Sequence, residues 1–92
     1  MIKERIEYSG AFDKQLKRAS LNIKIAFRAR LKLFLHDPLH SQLRNHKLVG
    51  KYKNYRSINI TGDWRALFIE NKVNNNIVVT FVLLGTHNQL YK

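Results

Sequence analysis

Ninety-two residues carry 17 lysines and arginines against 6 aspartates and glutamates, a formal net charge of +11. Such a balance is the electrostatic footprint of a polyanion binder, whose self-repulsion an acidic partner or a nucleic acid would relieve. Cysteine is absent and 45% of residues are hydrophobic, which excludes a disulfide-stapled mini-protein and a disordered tail, and no apolar run approaches the ~20 residues that cross a bilayer as a helix.

The length fits one domain over residues 1–92, with a small but sufficient core. Met1–Tyr8 carries charges at short intervals, unlike a signal peptide, so a soluble cytoplasmic protein is expected. Residues 2–8 predict a short strand. Ser9 is placed to cap a helix in which Phe12, Leu16 and Ala19 recur at helical spacing. A longer helix follows from about Asn22 to His36, with Ile23, Phe27, Leu31, Phe34 and Leu35 on one face and Lys24, Arg28 and Lys32 on another. Pro38 stops it by pushing its predecessor out of the helical region. His36 and His40, beside this stop, read as structural.

Residues 39–54 show neither helical nor strand period and form a basic loop, with Leu43 and Leu48 as anchors to the core. Three strands are then expected, at about 55–61, 64–70 and 77–84. Thr61-Gly62-Asp63 reads as a tight hairpin in which Gly62 supplies a positive φ, and the asparagine-rich stretch 72–76 as a second one. The order β-α-α-β-β-β defines an α+β fold, an antiparallel sheet with two helices packed on one face and the other face free for a ligand.

Between residues 38 and 62 there is no acid, yet Arg44, Lys47, Lys51, Lys53 and Arg56 fall there, together with His46. Asp63-Trp64-Arg65 and Gly85-Thr86-His87 complete the set. Two imidazoles, a carboxylate and a group of cations suit phosphodiester cleavage: a base takes the proton of the nucleophile, an acid protonates the leaving oxygen, and cations hold the charge of the phosphorane. Each residue also has a plainer reading. His87 could be polar only because a strand ends there, His46 a solvated loop residue, Asp63 a turn former and Trp64 part of the core. Arg56 and Arg65 could each be no more than an edge charge. A zinc triad of His46, Asp63 and His87 is disfavoured, since nearby cations would repel the metal and cleavage through the RNA's own 2′-hydroxyl needs none.

The run His46-Lys47-Leu48-x-Gly50 followed by Tyr55-Arg56, then Asp63-Trp64-Arg65, then Gly85-Thr86-His87-x-x-Leu90-Tyr91, resembles the RelE/ParE toxin superfamily, most of all its YafQ-like branch of ribosome-dependent mRNA endonucleases. The resemblance spans nearly the whole chain. It implies cleavage of messenger RNA on the ribosome without cofactor or metal. It also implies neutralisation in a hetero-oligomer by an acidic antitoxin from a neighbouring gene. Carried over residue by residue, it makes His46, Asp63 and His87 catalytic and gives Tyr91 a substrate contact. Arg65 resembles the strand arginine of RelE proper, and Lys51 and Lys53 its loop lysines. Lys47, Arg56 and Trp64 complete the expected RNA-binding set. Asn59 and Leu83 depart from the YafQ pattern, which has a histidine and an arginine there. A gyrase poison of the ParE kind and a plain basic nucleic-acid-binding module remain as alternatives.

Overall fold

The computed structural model describes residues 4–91. Five strands form one sheet in the order β1-β5-β4-β3-β2: β1 is Glu4–Tyr8, β2 His46–Lys47, β3 Arg56–Asn59, β4 Trp64–Val73 and β5 Asn76–Thr86. Strands β2 to β5 pair antiparallel, as expected, but β1 lies parallel to β5. Two helices, α1 (Gly10–Arg18) and α2 (Leu21–His36), carry the chain away from β1, and a parallel pairing requires a crossover of this length. Of the expected first strand, residues 2 and 3 lie outside the described residues.

Ser9 caps α1 as its sequence position implies, its hydroxyl accepting from the Phe12 amide at 3.0 Å. Ser20 caps α2 in the same way, so the second helix starts slightly before the expected Asn22. Phe12, Phe27, Phe34, Phe68 and Phe81 pack ring against ring between the helices and the sheet, joined by Ile58, Ala66, Val79 and Leu84. Ile23 is also buried, whereas Leu35 is 48% exposed and leaves the face assigned to it. Consecutive helix residues are about 100° apart, so with Phe34 in the core its neighbour turns to solvent. Leu43 is the buried anchor predicted for the loop. His40 is structural: its Nδ1 accepts from the Gln42 amide and caps a short 3-10 turn.

Both hairpins form, the first by different means than expected. Gly62 does not adopt a positive φ; among described glycines only Gly50 does. Instead the Thr61 hydroxyl accepts from the amides of Asp63 and Trp64, at 3.4 and 3.1 Å, and the Arg65 guanidinium crosses the turn. A side-chain oxygen bonding two and three residues ahead mimics a backbone turn and makes the left-handed glycine unnecessary. At the β4–β5 hairpin Asn74 and Asn75 both take positive φ, 50° and 67°, the pattern of a type I′ turn.

The sheet face opposite the helices is not bare. Cross-strand pairs place Ser57, Leu67 and Leu83 on it, and Ser57 and Leu67 are fully buried. The segment Leu48–Tyr55 folds back on itself, its ends tied by the Leu48 amide and the Tyr55 carbonyl, and occupies this side together with Tyr91. What stays accessible is a cleft at one end of the face.

Candidate active site

The cleft encloses about 350 Å³ and is lined by Arg44, His46, Leu48, Asn59, Arg65, His87 and Tyr91. Four of these were singled out in the sequence: His46, Arg65, His87 and Tyr91. The strand register puts His46 and Arg65 on one face, and the helical turn that follows β5 brings His87 and Tyr91 to it. His46 stands opposite Ser57, Asn59 opposite Arg65, and Arg65 opposite Gly85, and residues paired or two apart share a side of the pleat.

His46 is held by a 2.6 Å hydrogen bond between its Nδ1 and the Arg44 carbonyl. A carbonyl only accepts, so Nδ1 carries the proton, and in the neutral ring Nε2 is the basic nitrogen. Arg44 reaches this position through a left-handed backbone, φ 47° and ψ 46°, at the end of the preceding turn. Arg65 shares its Nη1 among the carbonyls of Thr61, Gly62 and Trp64, at 3.0 to 3.2 Å. The guanidinium is thereby fixed in orientation, and its Nε and Nη2 make no hydrogen bond among the described residues. A fork held at one end presents the other to a phosphate or carboxylate.

His87 opens the single-turn helix α3 (His87–Leu90). Its exposed ring packs on Tyr91 with centroids 4.7 Å apart. Thr86 and Gln89 form a reciprocal capping box that holds this turn. Gly85 lets it close on β5, since a Cβ there would come within 3.1 Å of Gln89 Oε1 and 3.3 Å of Leu90 Cδ2. The amide of His87 donates to the carbonyl of Asp63 at 2.9 Å, tying the turn before β4 to the end of β5.

Asp63 therefore meets His87 through its backbone. Its carboxylate is exposed, does not line the cleft, and bonds neither imidazole. Lys51 and Lys53 are exposed on the loop beside the cleft. Three of the expected RNA contacts are not brought to it. Lys47 pairs opposite Arg56 on the helix side of the sheet. Arg56 is occupied by Asn45 Oδ1 at 2.8 Å and Glu70 at 3.8 Å. Trp64 lies among Gln15, Arg18, Ala19 and Leu84, against α1.

Three lining residues stood outside the expected site set: Leu48, and Arg44 and Asn59, which the sequence analysis named without giving them a place in it. Leu48 was assigned to the core but lines the cleft, and Arg44 matters as much for its carbonyl as for its charge. A left-handed arginine has no sequence signal; Asn59 had one, since it stands where the YafQ pattern carries a histidine. No three of His, Asp and Glu converge, among the described residues, where they could hold a metal ion. No helix among them is long and apolar enough to cross a membrane.

Fold and cleft together define a small basic α+β protein that presents two imidazoles and an anchored guanidinium around one open cleft. Residues 4–92 match the family described as the bacterial toxin of type II toxin-antitoxin systems, YafQ, and the chain belongs to that family. It is 30% identical over 95 residues to the mRNA interferase toxin YafQ of Escherichia coli, covering 99% of each chain. The crystal structure of YafQ from E. coli superposes with a TM-score of 0.71 at 24% identity, over 98% of this chain and 100% of that one, a likeness of fold. The E. coli DinJ–YafQ complex gives a TM-score of 0.65 at 25% identity, over 98% and 100%.

Proposed function

We propose that this chain is the cytoplasmic toxin of a type II toxin-antitoxin pair and an endoribonuclease that cleaves mRNA on the ribosome. The observation that carries this reading is the convergence of His46, Arg65 and His87 on one cleft from three separated stretches of chain. Its relative's description as an mRNA interferase supports the same reaction class.

This reading gives each group of the cleft one step. His46 Nε2, the basic nitrogen of the neutral ring, takes the proton of the RNA 2′-hydroxyl. The 2′-oxygen then bonds to the adjacent phosphorus while the bond from phosphorus to the 5′-oxygen breaks. His87, in its protonated form, gives its proton to that leaving oxygen. The products are a 2′,3′-cyclic phosphate and a 5′-hydroxyl. Arg65, through Nε and Nη2, holds the charge that grows on the non-bridging oxygens. Tyr91 contacts the substrate, and Lys51 and Lys53 hold flanking phosphates without reading sequence. Asp63 acts by fixing the backbone of His87. The reaction uses the substrate's own hydroxyl as nucleophile and requires no metal.

The test is cleavage of an mRNA bound to translating ribosomes, with the ends analysed by mass spectrometry. A cyclic phosphate on the upstream fragment is expected. Inhibition of DNA gyrase without RNA cleavage would instead place the chain with ParE-type toxins. The partner should be an acidic antitoxin from an adjacent gene, supported by the net charge of +11 and by the DinJ–YafQ complex. Co-expression with that gene product should give a stable hetero-oligomer, and failure to co-purify would count against the pairing.

The placement of Arg56 yields a separate expectation. Arg56→Ala loses a part-buried charged hydrogen bond to Asn45 and a partly exposed ion pair to Glu70. The loss should be about 1 kcal/mol, a fall in Tm of roughly 4–8 °C for a domain this small. Single-turnover cleavage at a temperature where both proteins are folded should be unchanged. A large loss of rate without a change in Tm would return Arg56 to the substrate-binding set.

A further inference from the structure

Tyr52 stands between the basic loop and the C-terminal turn. It ends the 3-10 turn Gly50–Tyr52 and is half-buried, although Lys51 and Lys53 on either side are exposed. Its ring meets that of Tyr91 edge-on, with centroids 5.9 Å apart and planes at 82°. Tyr91 in turn packs on the imidazole of His87 at 4.7 Å. Behind it, Tyr52 packs on Tyr55 at 5.6 Å, and the Lys51 ammonium stands 5.1 Å from its ring centroid. The Tyr52 hydroxyl has no hydrogen-bond partner among the described residues, so its side-chain contacts within the protein are those of its ring.

The need for such a contact is physical. A helix of one turn is far below the length that is stable alone. The capping box fixes the backbone of α3, but the imidazole of His87 is exposed and makes no hydrogen bond among the described residues. Its ring direction rests on Tyr91, and the direction of Tyr91 rests on an edge-to-face contact, a geometry that aromatic quadrupoles favour. We propose that Tyr52 is a positioning residue, one that holds Tyr91 and through it orients the imidazole of His87. The loop bearing Lys51 and Lys53 and the turn bearing His87 then form one assembly. The consequence for catalysis rests on His87 being the acid; the positional role does not.

The experiment compares Tyr52→Leu and Tyr52→Phe in the full chain, after confirming by circular dichroism and Tm that each is folded. The His87 imidazole C–H resonances, assigned by their absence in His87→Ala, report ring position directly through the ring current of Tyr91. In Tyr52→Leu they should move toward the values of an unstacked histidine. The cleavage rate at saturating ribosome should fall roughly 10- to 100-fold, as for a reacting group held out of line, with KM within about twofold. Tyr52→Phe keeps the ring and should restore both. An unmoved His87 resonance in Tyr52→Leu overturns the proposal, as does a Tyr52→Phe variant that behaves like Tyr52→Leu. A moved resonance with undiminished cleavage, where His87→Ala is inactive, supports the positional role and overturns its consequence for catalysis. If His87→Ala also cleaves normally, the acid assignment fails instead, and the resonance alone decides the role of Tyr52.

Discussion

His87→Ala should abolish mRNA cleavage and toxicity while leaving a folded protein that still binds its antitoxin. A positioned general acid contributes roughly 10²- to 10⁴-fold, so single-turnover cleavage should drop by that amount. The fold should tolerate the change, because the side chain is exposed and the backbone bond to Asp63 is kept. Stability should move by only about 0.5 kcal/mol, as for other surface substitutions. His87→Gln would retain a hydrogen-bonding group but no proton to give near neutral pH, and should be nearly as slow. Near-normal cleavage by the alanine variant would remove His87 as the acid and make His46 the leading candidate. Asp63→Asn should fall well short of the His87 effect, since it is the backbone carbonyl of Asp63 that bonds His87, and this substitution keeps it. A loss equal to that of His87→Ala would show that the carboxylate itself takes part.

The second large effect separates catalysis from docking. Arg65→Ala removes the anchored guanidinium from the cleft and should slow cleavage at saturating ribosome by roughly 10²-fold or more, the usual loss for a transition-state donor. It should also loosen the Thr61–Trp64 turn, whose three carbonyls share Nη1. A fall in Tm is therefore expected alongside the kinetic loss, and Arg65→Lys, which lacks the fork, should recover little of either. The triple change Lys24→Gln, Arg28→Gln and Lys32→Gln is the control. These cations are exposed on α2, the far side of the sheet from the cleft. Fewer phosphate contacts release fewer counterions, so ribosome affinity should fall. The slope of log affinity against log salt should flatten by up to about three units, with turnover at saturation preserved. A catalytic defect in the triple variant together with normal Arg65→Ala turnover would invert the assignment of the two surfaces.

Much of this was legible one residue at a time. Ser9 capped its helix, Pro38 ended the next, the phenylalanines of α2 took the core, and His46, Arg65, His87 and Tyr91 came to one cleft. Each of these follows from local chemistry or from a spacing that a strand or helix turns into a face. The readings that changed depended on contacts distant in sequence. Gly62 was given a left-handed turn that the Thr61 hydroxyl and the Arg65 guanidinium made unnecessary. Arg56 and Lys47 belonged to the basic segment by composition, but strand parity sends them to the side opposite His46. Trp64, next to both Asp63 and Arg65, turns toward α1 for the same reason.

By itself the sequence determined the polyanion-binding charge, the order of the main elements and the identity of the groups able to move protons. Those properties reside in side chains and in periods of a few residues, which the chain carries before it folds. The tertiary structure alone decided that Asp63 contributes a carbonyl, and that Arg44 fixes the tautomer of His46. It also joined Tyr52 to His87 through Tyr91. A strand register places residues opposite one another that lie twenty or more positions apart, as Arg65 and Gly85 do, and a one-residue slip would send each to the other face. The meeting of His46, Asn59 and Arg65 on one side of the sheet follows from that register, to which every residue in the sheet contributes.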